Sequence, residues 1–202
     1  APANGTQMLD MLAWATGPSD HGTVAIRMPG ERVLALERAT DMAYDPIERA
    51  ADYEPASGLR GACPFTHYEI VKPGRDVAVL GLGNTVPLAA QVIRRLADEH
   101  GMDATLATVP QYSSLDDEAL TMLAYGHRLV VTVEDGQLDG GWGEKVTAFY
   151  ANATDRRLSS LRVLNFGAFK EFTDRVPVDE LCERYGLTCD AIIDRIRRVL
   201  SE

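Results

Sequence analysis

Two adjacent carboxylates, Glu134 and Asp135, close Leu129-Val-Val-Thr-Val133, the most β-prone run of the chain. Paired carboxylates at a strand end have the chemistry for general acid/base work or for holding a hard cation. Shortly after them, Gly140-Gly141-Trp142-Gly143 opens a helical pattern. Glycines ahead of a helix leave amides free to face an anion. The same glycines let backbones pack closely, and a Trp flanked by them suits a subunit-interface anchor, which is the expectation here. A second glycine pair, Gly81-Leu-Gly83, follows a buried-type apolar run and precedes Pro87, where a first-turn proline is tolerated. It has the form of a phosphate cradle. However, Val86 stands where the dinucleotide fingerprint needs its third glycine, and no acidic residue ends a second strand as a ribose partner. Tight strand-to-helix turning accounts for this pair equally well.

No His, Lys or Cys lies close in sequence to Glu134 and Asp135 to complete a catalytic set, and there is no Gly-x-Ser-x-Gly elbow. His21, His67, His100 and His127 are scattered singly, without a zincin-like partner. Cys63, Cys182 and Cys189 are odd in number and lack C-x-x-C spacing, so they read as reduced thiols of a cytoplasmic protein that bind no metal. The residues alone therefore give a domain without a visible reaction centre. The 20 Lys and Arg against 30 Asp and Glu leave a net charge of −10, which argues against nucleic acid and anionic membrane surfaces as partners. No apolar stretch approaches the roughly 20 residues of a membrane helix. The start, Ala1-Pro-Ala-Asn-Gly, has no Met, basic n-region or apolar h-region; no secretory signal is expected, and the chain reads as a processed piece.

The elements that must position these residues follow an α/β rhythm. Thr6 to Ala15 reads as a short helix and Thr23 to Arg27 as a strand, one αβ unit that cannot bury its own faces. Residues 31–67 lose all period and fill with prolines and glycines, which marks a linker and a domain boundary. From Tyr68 the expected order is ββαβαβαβαα. Tyr68–Val71 and Asp76–Leu80 are read as a hairpin, with strands at Ala104–Val109, Leu129–Val133 and Leu161–Phe166. Helices are expected from Thr85 to near Gly101, after a capping box at Ser114–Asp117, over Glu144–Asn152, over Val178–Tyr185, and after Thr188. This is an α/β fold: a mostly parallel open sheet with helices on both faces and one antiparallel edge strand.

Six runs stand in an order that resembles the C-terminal end of the transketolase-like thiamine diphosphate enzymes. They are Thr23–Pro29, Asp76–Ala89, Ser114–Glu118, Thr132–Asp135, Gly140–Gly143 and Val163–Gly167. Within that superfamily the similarity is greatest to the 1-deoxy-D-xylulose-5-phosphate synthases, whose ending the tail Asp179–Ile192 resembles. The resemblance implies that residues 1–30 are the last helix and strand of a pyrimidine-binding domain, 31–67 a linker, and 68–202 a transketolase C-terminal domain. It implies a homodimeric transferase that condenses pyruvate with glyceraldehyde 3-phosphate and supplies isoprenoid and thiamine precursors. This portion would act in dimerisation and in shaping the active-site wall. It also implies that thiamine diphosphate and Mg²⁺, with the glutamate that activates the cofactor, belong to upstream domains, so this chain alone binds neither and carries no catalytic residue. Arg27 matches the first arginine of the family's Arg-Tyr-Pro-Arg-Gly, but Gly30 replaces the arginine that binds substrate phosphate; Arg32 is the nearby substitute. Pro110 and Ser113 stand where a second pattern has Arg and Lys. Gly30 and Ser113 do not reproduce a guanidinium's bidentate grip on phosphate, which points to a diverged paralogue with another acceptor or to one that is no longer a synthase. The alternative is a stand-alone α/β assembly module, or the C-terminal chain of a split transketolase or 2-oxo acid dehydrogenase beta subunit.

Overall fold

The computed structural model describes residues 1–18, 22–28 and 63–201. Helix α1 spans Gly5–Ala15, and its start is capped by Asn4, whose side chain accepts from the Gln7 amide. The five strands are β1 (Glu69–Lys72), β2 (Val77–Leu82), β3 (Ala104–Val109), β4 (Leu129–Gln137) and β5 (Arg162–Ala168). The helices between and after them are α2 (Val86–His100), α3 (Asp117–Gly126), α4 (Trp142–Ala151), α5 (Arg156–Ser159), α6 (Val178–Tyr185) and α7 (Cys189–Ser201).

The strands form one sheet in the order β1-β3-β2-β4-β5. The last four in that row run parallel, and β1 runs antiparallel at the edge. The expected class of fold is therefore the observed one. Strand alternation sorts the core into two layers. Val77, Val79, Leu129, Val131 and Val133 face α2 and α7, while Ala78, Leu80, Leu82 and Val130 face α3 and α4. The central strand β2 is buried at every position, as a parallel strand covered on both faces must be.

Four details depart from expectation. First, β1 does not form a hairpin with β2; it pairs with β3, Glu69 opposite Thr108. The intervening Gly74 packs against the Ala104–Thr105 backbone, and the Arg75 and Asp76 amides donate to the Asp103 carbonyl, so the connection is tied to β3. Second, Asp116, not Ser114, caps α3, because its carboxylate accepts from the Ala119 amide. Third, the short α5 carries no periodic signal in four residues. Fourth, Thr23–Arg27 joins no ladder among the described residues; a β-prone run needs a neighbouring strand, and both edges of this sheet end elsewhere.

Candidate functional site

Strand order reverses between β2 and β4, since β3 lies on one side of β2 and β4 on the other. Loops beyond the carboxyl ends of these strands form the crevice where open α/β sheets place their ligands. Gly81 through Thr85 and Glu134 through Gly143 therefore meet at this edge.

After β2 the turn is closed by packing. A Cβ on Gly81 would lie 2.8 Å from Cα of Val86, so the glycine is required where the helix folds back on its strand. The Thr85 hydroxyl then donates to the Val133 carbonyl of β4 at 2.6 Å, tying the two strand ends together. These glycines serve the backbone turn.

After β4 a carboxylate lies inside the turn. Glu134 is only 3% exposed, and it accepts from the Gly143 amide at 2.7 Å and from the Trp142 amide at 3.2 Å. Those amides belong to the first turn of α4, whose end carries partial positive charge. The anion site that the glycine run suggests is thus occupied by the chain's own side chain. Burial pushes the Glu134 carboxyl upward, and the two amides and Arg27 pull against it. Glycine is demanded by this arrangement. A Cβ on Gly141 would sit 2.8 Å from Glu134 Oε1, and one on Gly143 would sit 2.6 Å from Thr132 Oγ1. Beneath the loop, the Thr132 hydroxyl donates to Asn165 Oδ1, and Asn165 Nδ2 donates to Thr147 Oγ1, both at 2.8 Å, linking β4, β5 and α4.

Trp142 packs within the fold. Its indole is 2% exposed and lies in the layer under α4, where Nε1 donates to the Tyr68 hydroxyl at 3.2 Å. Glu134, Gly140, Gly141 and Gly143 are gathered at the same edge. Gly140, in the left-handed region at φ 72°, gives its amide to Glu144.

Asp135 points away from this cluster to Arg27, with Nη2 to Oδ1 at 2.8 Å. The paired carboxylates therefore divide: one inside against amides, one outside against a guanidinium. Arg32 and Gly30 lie outside the described residues, as does most of the 31–67 linker. A cavity of about 380 Å³ opens beside Arg27's segment, between Trp14, Val24, Ile26, Phe65 and Tyr112. Among the described residues no group of three or more His, Cys, Asp or Glu converges as a metal set.

Asp116 is a buried polar residue whose role the sequence did not reveal. Its Oδ2 accepts from the Tyr68 amide at 2.8 Å while Oδ1 caps α3. Burial would raise its carboxyl, but the Ala119 and Tyr68 amides and His67 together hold it below the usual range. It pins the start of the domain to α3. The only signal was an Asp directly before a helical run.

Fold and edge together are those of a C-terminal domain of transketolase type. Residues 66–192 match the family described as transketolase, C-terminal domain, and the chain belongs to that family. More particularly, it is similar to 1-deoxy-D-xylulose-5-phosphate synthases. The one from Carboxydothermus hydrogenoformans is 27% identical over 203 residues, covering 92% of this chain and 32% of that protein. The one from Bacillus mycoides is 28% identical over 168 residues, 80% of this chain and 26% of that protein. The chain thus spans about a quarter to a third of the length of these relatives. A solved structure titled "Split gene transketolase, inactive beta4 tetramer" shares the fold, with a TM-score of 0.57 and 24% identity over 67% of this chain and 41% of that one. Among the described residues no helix is long and apolar enough to cross a membrane.

Proposed function

We propose that this chain is the C-terminal portion of a thiamine diphosphate-dependent transferase that joins pyruvate to glyceraldehyde 3-phosphate with loss of carbon dioxide. Residues 1–30 are the end of a pyrimidine-binding unit, its last helix and a segment, Thr23–Arg27, that would become a strand only beside strands outside these 202 residues; 31–67 are the linker and 68–202 the C-terminal domain. The portion supports a cytoplasmic homodimer and forms one wall of the active site. The observation that carries this reading is the alignment: it spans most of this chain, yet only about a quarter to a third of each synthase it matches. The Glu134 loop supports the wall, because it fixes the sheet's functional edge with the chain's own groups and leaves the reaction to groups outside it. Cofactor and Mg²⁺ are held by polypeptide outside these 202 residues.

The test joins this chain to the polypeptide encoded upstream and follows pyruvate decarboxylation with glyceraldehyde 3-phosphate as acceptor. Acceptor-dependent carbon dioxide release is expected. Release that ignores every aldehyde offered would sink the reading. The chain alone should bind no thiamine diphosphate by calorimetry, and micromolar affinity would refute that part. Sedimentation equilibrium checks the dimer. The second reading, one chain of a split enzyme, draws on the split-gene title of the solved neighbour; activity that appears only on mixing two separate polypeptides would favour it.

A further inference from the structure

We propose that the Arg27–Asp135 ion pair is a clasp that positions the Thr23–Met28 segment on the carboxyl end of β4, and that Arg27 is a positioning residue and not an anion ligand. The geometry around the guanidinium carries this. Its Nη2 lies 2.8 Å from Asp135 Oδ1. A Cβ on Gly136 would lie 3.3 Å from Arg27 Nη1 and 3.1 Å from Glu134 Oε2, so guanidinium and buried carboxylate both border the space that the glycine leaves open. Arg27 and Glu134 also feel each other's charge. Asp135 pairs with the guanidinium directly and Glu134 lies within its field, while the Ala1 ammonium also feels both Arg27 and Asp135. An incoming phosphate would have to displace Asp135 and would meet the field of Glu134 as well. A cationic side chain of the chain's own N-terminal segment fits this place without that conflict.

The clasp reaches further than the pair. Asp135 adjoins Glu134, and Glu134 holds the Trp142 and Gly143 amides. Arg27 is thereby fixed relative to α4. The same segment also lines a cavity together with Trp14, and Trp14 meets Phe65 edge-on with ring centroids 6.3 Å apart. Helix α1 has only 11 residues, a length that is marginal for an isolated helix in water. Protection of its amides from exchange therefore reports whether the N-terminal segment is docked. Arg27 and Asp135 are 37% and 35% exposed, so water and salt screen the pair and the effect is modest.

Hydrogen exchange of the 202-residue chain tests this, with α1 as the reporter and β2 and Leu129–Val133 as the internal control. Arg27→Met and Asp135→Asn should each speed α1 exchange by about threefold at low salt. The control strands should not change. The charge swap, Arg27→Asp with Asp135→Arg, should restore most of the protection. The loss in Arg27→Met should shrink in about 0.5 M NaCl, where screening has already weakened the pair. Gly136→Ala keeps both charges and should loosen α1 in the same direction. In parallel, the Arg27 Nε–H resonance is followed while inorganic phosphate is added, and no shift is expected. Three results would each overturn the proposal: α1 exchange unchanged in both single variants, single-variant loss that the swap does not restore, or a saturable phosphate shift that Asp135→Asn strengthens. None of these readouts depends on transferase activity, so the clasp can fail while the proposed function stands, and the reverse.

Discussion

Two glycine turns at one edge of the sheet look alike in sequence and differ in what they enclose. Gly81 and Gly83 follow β2; Gly140, Gly141 and Gly143 follow β4. Each leads into a helix, and each has the form of an anion cradle. The first is filled by Val86 and Thr85, with backbone folded onto backbone. The second is filled by the Glu134 carboxylate, seated on the amides of α4. A glycine turn before a helix therefore does not by itself signal a ligand. It signals that something must come close, and the neighbouring strand decides whether that is backbone, ligand or a side chain of the same protein.

Removing the largest object packed under the second turn should do the most damage. Trp142→Ala is expected to cost about 3–5 kcal/mol in urea unfolding, because a fully enclosed indole leaves a cavity and an unpartnered Tyr68 hydroxyl. A loss under 1 kcal/mol would mean that the indole is not part of the core. Next come the glycines themselves. Gly81→Ala and Gly143→Ala should each cost about 1–3 kcal/mol, for different reasons. The first forces backbone against backbone at Val86; the second drives a methyl into Thr132 Oγ1. Pairing Gly143→Ala with Thr132→Ala should recover part of its loss, since the struck atom is a side chain. No such partner exists for Gly81, whose nearest obstacle is main chain. Equal rescue at both sites would erase the distinction between the turns.

Glu134→Gln is a milder probe. It keeps the shape but turns an NH₂ group toward amide donors, and about 1–3 kcal/mol should be lost near neutral pH. The smallest effect is its pH dependence. The Glu134 carboxyl is raised in the folded chain, so the folded state favours its protonated form. Its contribution to stability is greatest below the unfolded value and declines as pH rises through the folded one. Asp116 has the opposite sign: its lowered carboxyl contributes above the unfolded value and is lost as pH falls through the folded one. Measured from neutral to acid, the urea midpoint of Glu134→Gln should therefore fall further behind that of its parent, which gains stability as Glu134 takes up its proton. Asp116→Asn should flatten the acid loss. Parallel curves for both variants would contradict the opposed environments.

Much of the fold was legible because its signals are local. The run Leu129–Val133, the φ 63° glycine after α2 and the stripe Ile192, Ile196, Val199 and Leu200 on α7 each follow from neighbours in sequence. The candidate edge was legible in its residues but not in their use. Sequence placed Glu134, Asp135 and the glycines together, but it did not show what Trp142 packs against. Nothing within a few positions of Trp142 reveals that Tyr68, from the far edge of the sheet, comes to meet its indole.

The sequence by itself determined the alternation of strands and helices, the apolar faces that sort into two layers, and the family, because periodicity, caps and ordered runs are properties of short segments. Tertiary structure decided which strand pairs with β1, which object fills each glycine turn and how the two carboxylates part company. Those outcomes depend on groups distant in sequence competing for one place, where hydrogen-bond geometry and excluded volume choose the occupant.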